Sequence, residues 1–574
     1  MKIKLKHIFS IILLVSSHQL FAQGDEVQLI GVGNRKVEPA FRITKDPKIL
    51  DTTITTKTRD YPYFVLQYPT TIATEPIKAI NIKTESKLNP LYSTYVKLGI
   101  GSELMPLGEI YFDSKRSRKF VYGVHAKHIS SFGNFEGYAP AQFDRSKFNA
   151  YGAIHETKYT LNSGLYYQNQ GLHYYGWKIP TDSIDKKENT QRYQAIGGDF
   201  SFASHVKDTA KLNYTLGAKY QHFSSKKPEE DTLSSWRGRE NTFAFLASGK
   251  YQTKRDLFGL ELGVRYNGYK YGQKGDTNAF ALDTGLVRNN TLINLKPNIA
   301  TFLLNNRFKA TVGFDLAIDV NEKTKAYVFP QIELKYSFFN NIFIPYLGVR
   351  GGIQQTTYRT LTDRNEFLLT NLVLRNENTP MDVYAGFKGT LSKRIGFHVG
   401  ASFARIKDKA LFVMDTVYSP TNKFNVIYDT LEQATVEGSL VYQLNEKLKI
   451  EAQGRYFSYS LLNNTYAWNL PTWQLLIRGH YNLFDKFIIQ LDYQMDGGRK
   501  SLLYQMEEGA IEENGQFAKD LGLIADVNLG VEYRYSKRIS AFIQLNNIAS
   551  QRYQRWYNYP VQPIQVMGGF TARF

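Results

Sequence analysis

The chain has 574 residues, a formal net charge of +19 and a mean hydropathy of -0.37, yet 14% of it is aromatic, with 40 Tyr and 37 Phe. It contains no cysteine, which excludes a disulfide frame, a thiolate metal site and a lipoprotein anchor. Beyond the N-terminus no apolar run approaches the roughly 18 residues that a membrane helix needs. A membrane-spanning fold of this sequence therefore has to be a closed barrel. The basic residues are scattered over turns, loops and alternate strand positions. That distribution fits contact with anionic lipid and cell-surface polyanions, not nucleic acid.

Residues 1–23 read as a secretory signal peptide: Lys2, Lys4 and Lys6 precede the apolar run Ile8 to Val15, and Ala22-Gln23 suits cleavage. Residues 24–91 alternate poorly and carry Pro39, Pro47, Pro62, Pro69, Pro76 and Pro90. They predict an extended periplasmic arm or a lumen insert that limits passage or recruits a partner. From about Ser93 onward a period of two begins and persists through residues 92–574, which predicts strands with one apolar and one polar face. Short basic or Asn-containing turns recur, such as His155 to Lys158, Asn305 to Arg307, Phe339 to Asn341, Ser392 to Arg394 and Ser536 to Arg538. Longer polar connections separate them, including 131–145, 177–190, 359–380 and 498–520. Ten short turns and eleven connections on the other side predict about 22 antiparallel strands, with the short turns and both termini periplasmic.

The C-terminal stretch shows the pattern most cleanly. Leu521, Leu523, Ala525, Val527, Leu529, Val531, Tyr533 and Tyr535 form one row, against Asp526, Asn528, Glu532 and Arg534. A closed hydrophobic core cannot hold the charged row; lipid outside and water inside satisfy both rows. The fold class is thus all-β, a transmembrane outer-membrane barrel. Phe570 and the final Phe574 resemble the C-terminal strand signal of bacterial outer-membrane barrels. The run Asn546-Asn547-Ile548, with Tyr553, Trp556, Tyr559-Pro560 and Phe574 after it, makes residues 92–574 resemble the barrel of TonB-dependent receptors. The segment before the first strand is shorter than the plug of those receptors, and no plug motif or TonB box is present. The resemblance is closest to the plug-less receptor-like barrels of Bacteroidota, and it implies an outer-membrane location and solute transport.

Candidate functional residues follow from the alternation. Glu261, Arg265, Glu333, Lys335, Arg350, Lys388, Glu437, Glu451, Arg455, Arg478, Asp492, Asp526, Glu532 and Arg534 should all face the lumen. There they either stiffen the wall as inter-strand ion pairs or line a solute path. In connection 359–380, Phe367, Leu368, Leu369, Leu372, Val373 and Leu374 are too apolar for a solvated loop. Asp363 is placed to cap a short helix there, which folds into the barrel mouth, packs on neighbouring loops or docks a partner. Tyr166, Tyr167, Tyr174, Tyr175, Trp177, Trp468, Trp473, Trp556, Tyr557 and Tyr559 suggest an interface girdle or a sugar-stacking surface. His125 and His128 sit three apart on a strand and point to opposite faces, so they cannot share a metal. No Gly-x-Ser-x-Gly elbow is present, and neither an enzyme nor a cofactor is expected. The sequence predicts passive or partner-dependent solute transport, with a structural or assembly anchor for periplasmic or surface proteins as the alternative.

Overall fold

The computed structural model describes residues 91–135, 137–176, 189–205, 212–226, 237–253, 255–271, 287–321, 323–416 and 422–574. The expected signal peptide and the arm 24–91 up to Pro90 lie outside them, as do Trp177 and the tips of several connections.

Among the described residues, twenty-two strands form one sheet in which every neighbouring pair is antiparallel. The first strand, Thr94–Gly101, pairs with the second, Met105–Asp113, and also with the last, Gln565–Arg573, so the sheet closes on itself. Closure leaves no edge with unpaired backbone groups, which is the condition for a sheet to live in lipid. Phe574 fastens the seam: its N–H donates to the Thr94 carbonyl at 2.9 Å, and its own carbonyl accepts from Ser93 at 2.7 Å.

The two faces separate as alternation predicts. Leu98, Ile100, Val312, Phe314, Val328, Leu347 and Phe570 are exposed on the outer row. Their register partners on adjacent strands belong to the same row, as Val312 opposite Ile299 and Ile332 shows. The C-terminal alternation starts later than the sequence suggests. The strand runs Ile524–Arg534, and Leu521 to Leu523 belong to the preceding loop, where Gly522 adopts φ 69°.

One end of the barrel carries the short turns and the other the long connections, here the turn end and the loop end. Several turns place non-glycine residues in the left-handed region, among them Asn305 (φ 56°), Asn306 (φ 65°) and Asn341 (φ 70°). Asn tolerates this conformation better than most residues, which explains its recurrence there. At the loop end the strands Ile395–Met414 and Phe424–Leu444 have 20 and 21 residues. About 9–11 suffice to cross a bilayer, so these two strands are about twice that length and form a wall at the loop end. The connection 498–520 folds into its own sheet of Lys500–Leu503, Ala510–Glu513 and Gln516–Asp520.

Candidate functional site: a loop folded into the barrel mouth

The connection between strands Phe343–Gln354 and Glu377–Ser392 leaves from the thirteenth position in the ring. It begins with the short helix Tyr358–Arg364. Its cap is Thr357, not Asp363. The Thr357 hydroxyl accepts from the Thr360 N–H at 3.1 Å, and the Thr360 hydroxyl accepts from the Thr357 N–H at 2.9 Å. Asp363 sits in the last turn and pairs instead with Arg359 at 2.9 Å, one turn back. The Glu240 carboxylate, buried on a facing strand, accepts from the Tyr358 N–H at 2.5 Å and the Arg359 N–H at 3.4 Å. It thereby satisfies amides that a helix start leaves open. The Tyr358 ring lies among Tyr193, Phe223 and Tyr269, with centroids 5.2 to 6.3 Å away.

Past the helix, Phe367, Leu368, Leu369 and Leu372 are buried. Phe367 stacks on Tyr559 with ring centroids 3.8 Å apart. Leu368 bridges in parallel to Phe424, with Leu369 N–H donating to the Phe424 carbonyl and Phe424 N–H to the Phe367 carbonyl, both at 2.9 Å. The rest of this irregular backbone has no ladder, so its carbonyls need other donors. Tyrosines supply them. Tyr193 donates to the Glu366 carbonyl at 3.1 Å, Tyr174 to Leu368 at 3.1 Å, and Tyr428 to Val373 at 2.7 Å. Tyr269 donates to the Thr370 carbonyl. Each of these residues buries an apolar ring and offers one donor at its tip, which suits a site that is dry but crossed by bare backbone. Burial pushes the Tyr174 hydroxyl above its ordinary value.

The loop reaches across the mouth. Glu366 pairs with Arg145 at 3.0 Å on strand Phe143–His155, nine places round the ring of 22, and also accepts from Gln170. One buried cluster joins the loop to strand ends through Leu172, Tyr193, Phe223, Tyr269, Phe412 and Phe424. The last connection completes it. Trp556 packs on Phe412 and Phe424 at 5.3 and 5.5 Å, Tyr557 donates to Glu507, and Tyr559 donates to the Asn422 carbonyl. Arg499 fixes that segment by donating to the Arg555 and Gln554 carbonyls at 2.8 and 2.9 Å. Of the apolar side chains in the loop that suggested partner docking, Phe367, Leu368, Leu369, Leu372 and Leu374 are used inside the chain, where burial shields them from water, while Val373 is exposed. The aromatic residues divide in the same way: Tyr174, Tyr559 and Trp468 are buried in the molecule, whereas Tyr167 is exposed.

Most of the predicted lumen row falls into cross-strand and same-strand pairs. Arg350 meets Asp382 at 2.8 Å, Arg455 meets Glu437 at 3.1 Å, and Arg478 meets Asp492 at 3.5 Å with Glu451 also opposite in register. Lys335 pairs with Glu333 at 2.9 Å, and Glu261 with Lys296 at 3.8 Å. Glu532 lies 3.9 Å from Arg534 and 3.8 Å from Arg573, while Asp526 accepts from Tyr553 at 3.1 Å. Lys388 stands opposite His398 in register, and the Arg265 carbonyl accepts from Gln355 at 3.2 Å. His125 reaches Glu109 at 3.0 Å, while His128 reaches Ser146 at 2.8 Å. Residues that alternation could not single out carry the loop: Arg145, Glu240 and Glu366, and the tyrosines.

These features define the class: a closed 22-strand antiparallel barrel, of the fold seen in outer-membrane receptors, whose mouth is crossed by one of its own loops. Its barrel is a distant structural match to those of TonB-dependent receptors. Similar solved structures include the FrpB iron transporter from Neisseria meningitidis (F3-3 variant), at 9% identity and a TM-score of 0.64 over 85% of this chain and 82% of that one. The copper transporter OprC matches at 9% identity and a TM-score of 0.61, over 84% and 80% of the two chains. The receptor in the FpvAI–pyocin S2 complex matches at 11% identity and a TM-score of 0.60, over 84% and 73%. At such identities the likeness concerns the fold. No protein-family model matches the sequence, and no curated protein matches it.

Proposed function

We propose that the chain is an outer-membrane solute pathway held shut by its own loop, residues 355–376, which a solute or a partner must displace. The observation that carries this reading is the crossing of the mouth by a loop whose carbonyls are capped by Tyr174, Tyr193, Tyr269 and Tyr428. A 22-strand barrel is wide enough to need closing, and a buried apolar loop with satisfied backbone closes it without a separate plug. The paired lumen charges stiffen the wall and keep the path below the loop polar. The short turns and both termini face the periplasm, in keeping with turn and loop lengths on other outer-membrane barrels. The test replaces residues 358–374 by a short Gly-Ser link in the full chain. Cells carrying it should become sensitive to large antibiotics that the outer membrane normally excludes. Unchanged sensitivity, with the barrel folded and at equal abundance, would sink the proposal.

A second reading, an anchor for a surface protein, is favoured by the loop sheet at 500–520, which leaves Tyr504, Met506 and Ile511 exposed. The receptor in the pyocin complex shows that a barrel of this fold can hold a protein ligand.

A further inference from the structure

The Arg145–Glu366 pair stands between two cavities. The larger, of about 410 Å³, is lined by Arg145, Glu366, Tyr175 and Phe367, and extends past them to Lys147 and Gln168. Lys147 and Gln168 lie nearer the turn end of their strands than Arg145 and Gln170 do, so this cavity runs from the loop into the barrel interior. The second, of about 260 Å³, shares Arg145, Tyr175, Glu366 and Phe367, and continues to Asn547 and Gln562 of the last connection. The ion pair and its two aromatic neighbours are the partition between them.

The larger cavity is cationic. Arg145, Lys147, Arg359, Arg364 and Arg555 line it, against the carboxylates of Asp363 and Glu366. Three of the cations are committed: Arg145 to Glu366 at 3.0 Å, Arg359 to Asp363 at 2.9 Å, and Arg364 to Glu377 at 2.8 Å. Lys147 and Arg555 have no carboxylate within ion-pair distance among the described residues, and both are exposed residues that line the cavity. Guanidinium and ammonium groups converging on one space favour a ligand with several anionic oxygens. The aromatic walls Tyr175, Phe367, Trp556 and Tyr559 give it apolar surface as well, and the volume lies within the usual range of small-molecule sites.

We propose that this cavity binds a small multivalent oxyanion, carboxylate or phosphate, and that the bound anion takes Arg145 from Glu366. The Glu366 carboxylate pairs with the same guanidinium that the anion's oxygens would engage. Losing Arg145 removes the loop's ion pair to the far wall and leaves Glu366 held there by Gln170 alone, which weakens the partition between the two cavities. Ligand binding and loop release are thereby coupled, because the ligand binds more tightly to the state in which Glu366 has let go. The coupling rests on the seal reading; the binding site does not.

The experiment titrates the full chain in lipid nanodiscs with citrate and, separately, with pyrophosphate, following heat and comparing sucrose as a neutral control. Lys147→Gln and Arg555→Gln should each weaken binding by about tenfold, the usual scale for a lost charge-assisted contact. Glu366→Gln should tighten it by about as much, since the internal competitor loses its charge. Heat-modifiable migration on gels verifies that each variant is folded. Binding of either anion with these dependences supports the proposal and assigns the ligand's chemistry. Binding of neither overturns it, as does binding indifferent to Lys147 and Arg555, or a Glu366→Gln variant that binds no tighter. If the loop-replaced barrel leaks while anions fail these tests, the seal stands and this proposal falls. If anions bind as described but the loop-replaced barrel does not leak, the site stands and the seal and its coupling fall.

Discussion

Tyr269 shows what a single residue does for the loop. Its ring is fully buried against Tyr358 and its hydroxyl donates to the Thr370 carbonyl. Replacing it by Phe keeps the ring and strands the carbonyl, a loss of about 1–3 kcal/mol when the orphaned group is buried. Tyr269→Phe should therefore raise amide hydrogen exchange in residues 366–374 and leave the strands protected; equal protection in both proteins would count against the capping role. None of this was legible in the sequence. The tyrosines sit at strand ends, where aromatic residues are expected for membrane reasons alone. Their partner carbonyls lie far away in the chain, 101 residues in the case of Tyr269 and 194 in that of Tyr174. The helix cap was hidden for another reason: Thr357 and Thr360 form a reciprocal box with a Thr where Glu or Gln usually stands.

Strands are the elements that the sequence states most openly, because each face meets a different solvent and the period of two is imposed on every residue. Leu529 and Asn528 test that division. They are neighbours on Ile524–Arg534, and register sets them opposite Leu491 and Asp492 respectively. Leu529→Arg should cost roughly 2–4 kcal/mol in a bilayer-refolding assay if it lies near the midplane, and Asn528→Arg far less. Equal losses would reverse the assignment of faces. Connections are harder to read. The apolar run from Phe367 to Leu374 marks itself as buried, yet its own residues cannot say whether the mouth, a neighbouring loop or a partner covers it. That depends on Tyr193, Phe424 and Tyr559, which only the closed sheet brings to one place.

At the scale of the whole molecule, the asymmetry between turn end and loop end sets the topology. The absence of native cysteine makes that topology directly measurable. With periplasmic turns, Glu512→Cys in the loop sheet should react with an impermeant thiol reagent on intact cells, and Lys393→Cys should not. The opposite labelling would turn the barrel over. Closure of the mouth is the claim on which the functional reading depends, and conductance reports on it most directly. In planar bilayers the purified native chain should show rare or small openings, while the chain with residues 358–374 replaced by a short link should conduct steadily through a wide pore. A replaced chain that is folded, inserted and no more conductive than the native one would contradict the loop as the seal.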